Sequence, residues 1–302
     1  MALYVYERFT GDEPLAMAIY LRPDTMEAAL AALAERPLTL LAGGTDFYPA
    51  RVGRTVTEDV LDLGALADLR GISEQPSHWR IGAATTWTEI IEAKLPPMFD
   101  ALKLAAREVG GRQIQNLGTI AGNLCNASPA ADGIPPLLAL DASLVLAATG
   151  QTRTIALLDF VQGNRRTARR PCELVSAILV PKPSNPTVSD FLKLGARRYL
   201  VISIAMAAGI LEMGSGRVSA ARLAVGACSE AAQRLCLLER TLVGQPLEAD
   251  LAAMVEREHL AGLQPIDDVR ATADYRTDAV EILLRRLLQR LANAARAEAC
   301  RG

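Results

Sequence analysis

Apolar and polar positions alternate along the chain in short runs that predict strands and amphipathic helices. Asp24-x-x-Glu27 reads as a capping box with Asp in place of Ser or Thr, opening an Ala- and Leu-rich helix that Pro37 stops after about Glu35. Residues 38–41 form a short apolar strand, so the opening third predicts strand, helix, strand and then a glycine loop. Residues 60–63 and 79–85 predict two further strands, the second preceded by a polar turn at Gln75-Pro76-Ser77. Residues 87–93 predict a helix with Thr88 as its cap. Residues 99–109 place Leu102, Leu104, Ala105, Ala106 and Val109 on one helical face, and Gly110-Gly111 ends that helix. Residues 143–148 and 174–180 are strand-like.

The pattern breaks at Pro181-Lys182-Pro183-Ser184-Asn185-Pro186, because prolines at this density continue neither a helix nor a sheet ladder. Beyond it, residues 191–195, 202–213 and 218–228 predict strands, with a hairpin turn at Gly214-Ser215-Gly216. Residues 230–242, 247–255 and 274–295 predict helices. The tail is therefore a small antiparallel sheet covered by helices, an α+β arrangement. No internal repeat is present.

A chain of 302 residues, half of them hydrophobic, buries one large or two medium domains. A net charge of -2 gives no electrostatic footprint for nucleic acid. No apolar run reaches the length of a membrane span, the longest candidate being residues 201–211. Residues 1–7 lack a basic stretch followed by a long apolar one, so no signal peptide is expected and a cytoplasmic protein is. Cys125, Cys172, Cys228, Cys236 and Cys300 are odd in number and widely spaced, without C-x-x-C. This argues against a disulfide framework, a zinc site or a self-contained iron–sulfur cluster. The only histidines, His78 and His259, fall in polar contexts and are expected at the surface, which leaves little for a Ser-His-Asp hydrolase. Redox or group-transfer chemistry has to come from a bound cofactor.

Two segments carry the chemistry: Leu41-Ala42-Gly43-Gly44-Thr45-Asp46 and Gly118-Thr119-Ile120-Ala121-Gly122-Asn123, the latter running on to Ser128 and Asp132. Glycine permits φ > 0 and lets bare N–H groups approach an anion, while Thr45, Thr119 and Asn123 add side-chain donors. A tight turn explains either segment alone. Neither fits the G-x-G-x-x-G of a dinucleotide fold, and no P-loop exists. Taken together, they suggest two loops closing on one diphosphate. Asp132 fits a ribose hydroxyl, or the cap of a short helix whose first turn holds Pro135 and Pro136. Phe47 and Tyr48 fit a planar ligand ring or core packing. Cys125 reads as a small buried filler. Arg165, Arg166, Arg169 and Arg170 read as a solvated loop, or as a patch for a partner or for the anionic end of a ligand.

The joint pattern resembles the FAD-binding medium subunits of the molybdenum hydroxylases, the group of carbon monoxide, nicotinate, quinoline and xanthine dehydrogenases and 4-hydroxybenzoyl-CoA reductase. Ala121 stands where that family often has Gly, a mild departure at negative φ. The resemblance covers nearly the whole chain, including Asn126 to Asp132, the strand 174–181 and the stretch 191–198. It implies an FAD-binding domain over residues 1–180 of the vanillyl-alcohol-oxidase/p-cresol-methylhydroxylase type, with subdomains of about 1–55 and 56–180. A flavoprotein C-terminal domain over 187–296 would follow, a three-stranded antiparallel sheet with helices. It further implies an oxidoreductase subunit without a catalytic acid or base of its own. FAD would be held by Leu41, Ala42, Gly43, Gly44, Thr45, Asp46, Phe47, Gly118, Thr119, Ile120, Ala121, Gly122, Asn123, Ser128, Asp132, Val175 and Lys193. Partners would be a [2Fe–2S] small subunit and a molybdenum-pterin large subunit, assembled as a dimer of heterotrimers, with NAD⁺, O₂ or another acceptor. Two alternatives stand beside this reading. One is an independent flavin-dependent reductase of the same fold superfamily, resembling the UDP-N-acetylenolpyruvylglucosamine reductases; the other is a non-redox phosphate-ligand binding module.

Overall fold

A computed structural model describes residues 2–6, 9–10, 13–14 and 18–300; residues 1 and 7, part of the stretch read for a leader, lie outside them. The first sheet holds β1 (Ala2–Tyr6), β2 (Ala18–Arg22), β3 (Thr39–Leu41) and β4 (Val60–Asp62) in the order β1-β2-β4-β3. β1 is antiparallel to β2, whereas β2 and β3 both run parallel to β4. Parallel strands need a crossover, and α1 (Met26–Glu35) supplies it between β2 and β3. Its cap is Thr25 rather than Asp24: the Thr25 hydroxyl accepts from the Ala28 N–H at 3.2 Å. β3 ends at Leu41 and delivers the first glycine segment at the end of a parallel strand.

The second sheet is antiparallel throughout. It contains β5 (Ile72–Glu74), β6 (His78–Gly82), β7 (Ser143–Ala148), β8 (Gln151–Ala156) and β9 (Leu174–Pro181) in the order β8-β7-β9-β6-β5. β6 stops at Gly82 instead of reaching residue 85. The chain turns there, with the Thr85 N–H bonded to the Gly82 carbonyl at 3.0 Å. Gly82 backs onto Leu69 so closely that a Cβ would lie 2.4 Å from its carbonyl oxygen. Helix α2 (Trp87–Glu92) is capped by Thr86, not Thr88, through a capping box with Glu89. Next come α3 (Asp100–Glu108), α4 (Arg112–Leu117), α5 (Ile120–Asn126) and α6 (Ile134–Ala139). The sequence pattern missed α4 and α5, which at six and seven residues are too short to show a helical period, and α5 also carries a glycine and two asparagines.

The third sheet joins β10 (Thr187–Leu194), β11 (Ala205–Gly214), β12 (Arg217–Gly226) and β13 (Gln233–Arg234) in chain order, all antiparallel. Three strands are long and the fourth has two residues. β13 also corrects the helix expected over 230–242, which shortens to α7 (Cys236–Leu242). Arg234 is held extended because its guanidinium grips Glu239 at 2.5 and 2.9 Å and the Leu138 carbonyl at 3.2 Å. The helix expected over 247–255 is only a single 3₁₀ turn, Leu251–Met254, which Asp250 caps. The last element is α8 (Ala273–Ala299). β11 is buried on both faces. Met206, Ala208 and Ile210 join the core shared with the first 180 residues, while Ala205, Ala207 and Leu211 pack with Leu284, Leu287, Leu288 and Leu291 of α8. Burial on both faces explains the continuous apolar run of this strand. His259 is also buried, and its Nδ1 accepts from the Glu256 N–H at 3.0 Å, so the expectation of a surface residue fails there; His78 is half-buried in β6. Among the described residues, no helix is long and apolar enough to cross a membrane.

Arg276, only 3 % exposed, ties this third layer together. Its guanidinium donates to the carbonyls of Ile204 and Ala227 and, at 2.7 Å, to Asp268. Burial acts to raise the Asp268 carboxyl. The Arg270 amide, the Arg276 guanidinium and the Ala271 amide outweigh it and hold the pKa down at about 2. This carboxylate therefore adds stability that is complete above its unfolded value of about 3.9 and is lost as pH falls through the folded value. Arg276→Met is expected to lower the denaturant midpoint by an amount equivalent to about 3–5 kcal/mol, the usual cost of breaking a buried charge network. It is also expected to flatten the fall in stability between about pH 4 and pH 2. An acid series of unfolding curves on both proteins checks both effects.

Candidate functional site

The two glycine segments meet. A Cβ on Gly43 would lie 1.8 Å from the Leu117 carbonyl oxygen and 2.5 Å from its carbon, so only glycine allows this backbone-to-backbone contact. On the other side of the seam, a Cβ on Gly118 would lie 3.5 Å from Thr45 Oγ1. Gly44 adopts φ +70, and the Tyr48 ring covers it. The backbone N–H groups of Gly43, Gly44, Thr45, Asp46 and Phe47 meet no acceptor among the described residues. A run of free donors around a left-handed glycine is an anion-binding concavity.

The second segment contributes differently from what its sequence suggests. Thr119 caps α5, its hydroxyl accepting from Gly122 at 3.2 Å. The N–H of Ile120 bonds to Thr85, that of Ala121 to Ala83, and that of Asn123 to the Thr119 carbonyl. In this structure only the Thr119 N–H of that run remains uncommitted among the described residues. Ile120 and Ala121 are buried, and Ala121 sits at negative φ, where alanine replaces glycine without strain. Gly122 is exposed, and Asn123 Oδ1 is buried without a hydrogen-bond partner among the described residues. An orphaned buried acceptor costs free energy unless a ligand donor meets it.

Asp132 is neither a helix cap nor open to solvent. α6 starts from Gly133 with no side-chain cap. Asp132 Oδ2 accepts from Lys193 Nζ at 2.7 Å, and Oδ1 from the Ser203 hydroxyl at 2.7 Å. The two charged side chains are 9 % and 6 % exposed, which makes this the deepest ion pair among the described residues. Burial pushes the Asp132 carboxyl up, while Lys193 and Ser203 pull it back. Lys193 also donates to the Glu108 carbonyl at 3.3 Å. The pair locks the 128–132 loop onto β10, assisted by the Ala227 N–H on the Pro129 carbonyl at 2.9 Å. Ser128 accepts from the Ala130 N–H at 3.3 Å, and Val175 is buried in β9 where the register with β7 shifts.

Phe47 and Tyr48 pack edge to face at 5.2 Å, and the Arg51 guanidinium lies 3.8 Å from the Phe47 ring centre. Cys125 is half-buried, and burial pushes its thiol up to about 11, so it stays protonated and inert. Among the described residues, no cluster of His, Cys, Asp or Glu could hold a metal ion. The four loop arginines divide. Arg166 pairs with Glu230 at 3.2 Å, while Arg169 and Arg170 pack around Glu173. Of the four, Arg165 hydrogen-bonds to the two segments, at Asp46 and Asn126; the local sequence offers the whole patch for the anionic end of a ligand but does not single this arginine out.

Residues 12–183 match the family described as FAD binding domain in molybdopterin dehydrogenase, and residues 190–291 match the CO dehydrogenase flavoprotein C-terminal domain. The chain is 28% identical over 281 residues to the glyceraldehyde dehydrogenase medium chain of Sulfolobus acidocaldarius, covering 90% of this chain and 98% of that one. It is 32% identical over 284 residues to the carbon monoxide dehydrogenase medium chain of Afipia carboxidovorans, covering 90% and 95%. A chain of the solved carbon monoxide dehydrogenase from Hydrogenophaga pseudoflava superposes with a TM-score of 0.81 at 28% identity, covering 92% of this chain and 96% of that one.

Gly43→Val is expected to force the two segments apart and abolish FAD retention, with the far-ultraviolet circular dichroism of a folded chain preserved. Gly122→Ala meets only the Thr119 hydroxyl, at 2.7 Å, and is expected to weaken retention less. The ratio of FAD to protein after gel filtration reads both; stoichiometric FAD in Gly43→Val contradicts the assignment.

Proposed function

The chain belongs to the family of FAD-binding domains of molybdopterin dehydrogenases, and from that premise we propose that it is the electron-transferring flavoprotein subunit of a molybdenum hydroxylase. In this reading residues 1–180 form an FAD-binding domain of the vanillyl-alcohol-oxidase/p-cresol-methylhydroxylase type with subdomains of about 1–55 and 56–180. Residues 187–296 form the flavoprotein C-terminal domain, whose sheet consists mainly of its three long strands. Bound FAD supplies the redox chemistry, exchanging electrons with a [2Fe–2S] small subunit and with NAD⁺, O₂ or another acceptor. A molybdenum-pterin large subunit oxidises the substrate, and the three chains assemble as a dimer of heterotrimers.

One observation carries this reading: among the described residues the N–H groups of Gly43 to Phe47 meet no acceptor, just where Gly43 packs on the Leu117–Gly118 backbone of the second segment. Those donors, with Thr119, bind the diphosphate. Asn123 and Ser128 offer polar groups to its sugar side, and Phe47 and Val175 flank the ring system. Leu41, Ala42, Gly118, Ile120 and Ala121 set the backbone that makes the approach. Asp132 and Lys193 act on the cofactor through the loop they lock. No residue of the chain is asked to serve as acid or base toward the substrate. The chain's visible absorption spectrum, with the released cofactor identified by mass, tests the proposal. FAD bands near one equivalent without iron absorption are expected. A chain that stays colourless with added FAD and partner subunits contradicts it.

A further inference from the structure

We infer that Arg165 is a positioning residue of the diphosphate site, neutralising Asp46 and tying the two glycine segments together; this rests on reading those segments as the FAD site. Asp46 carries one of the free N–H donors, and its carboxylate is the only charged side chain in the first segment. A negative charge there opposes a diphosphate. Arg165 answers it: one guanidinium nitrogen lies 3.1 Å from Asp46 Oδ2 and 2.7 Å from Asn126 Oδ1, at the end of α5. The same nitrogen thus bridges the loop that follows β3 and the helix of the second segment.

The backbone is arranged for this contact. Arg165 adopts φ 55 and Ala127 φ 46, both left-handed without being glycine, and the Arg165 N–H bonds to the Ala127 carbonyl at 3.0 Å. Two strained residues joined by a hydrogen bond mark a place where geometry is held at a cost. Stability does not explain the ion pair, since its side chains are 60% and 55% exposed and such pairs contribute little to folding. The remaining consequence is electrostatic. With Arg165 present, the mouth of the donor run is neutral; without it, the mouth carries a bare carboxylate.

The test strips the full chain of FAD and titrates it back, following flavin fluorescence, for wild type, Arg165→Met, Asp46→Asn and the double variant. Arg165→Met is expected to raise the FAD Kd about tenfold at low ionic strength, with the gap narrowing in about 0.5 M KCl as screening sets in. The double variant is expected to return to within about threefold of wild type, because the carboxylate has gone too. The thermal midpoint of the apo chain should be the same in all four. Wild type that binds FAD while Arg165→Met stays within about twofold of it overturns the inference. So does a double variant as weak as Arg165→Met. Wild type that fails to bind FAD removes the underlying reading instead.

Discussion

Gly43 rests on the Leu117 carbonyl at a distance that excludes even one methyl group, and the site follows from that contact. The first segment hangs from the mixed first sheet at the end of its parallel strand β3, and the second leads into α5 beside the antiparallel sheet. Backbone touching backbone fixes the two layers relative to each other without any side chain to flex between them. Gly44 in this run is left-handed, and among the described residues the N–H groups from Gly43 to Phe47 meet no internal acceptor, a backbone suited to an anion.

The third layer holds the site from the other side. Lys193 from β10 and Ser203 from the β10–β11 connection both close on Asp132, while Arg276 pins the carbonyls of Ile204 and Ala227 that flank this region. A buried ion pair of this kind adds little net stability compared with apolar packing, yet losing one partner is costly. Its effect here is positional: it fixes where the 128–132 loop lies. The functional loops are therefore braced from three sheets, with the cost of desolvating Asp132 and Lys193 accepted in exchange for a fixed geometry.

Much of this was legible in the sequence. The glycines stood out because close approach and positive φ admit few other residues. The break at 181–186 showed because proline cannot continue a ladder, and the hairpin at Ser215 and Gly216 has the positive φ its residues suggest. What stayed hidden depends on distant partners. α5 was unreadable because Thr85 and Ala83 hold its first turn. Arg234 is extended because Glu239 and Leu138 claim its guanidinium, overriding a good helical pattern. Asp132 looked like a cap or a ribose ligand, since nothing local points to Lys193 or Ser203. Arg165 was indistinguishable from the three other arginines of a loop that read as solvated or as a patch for a partner or an anionic ligand end, because Asp46 is remote in the chain.

Hydrogen exchange measured residue by residue on the chain with and without FAD tests the central claim most directly. The free N–H groups of residues 43–47 and of Thr119 should exchange fast in the apo chain and slow markedly when FAD binds. The amides of Ile120 to Asn123, already committed within the protein, should change little. FAD binding that leaves residues 43–47 exchanging as before, with protection appearing elsewhere, would contradict the account.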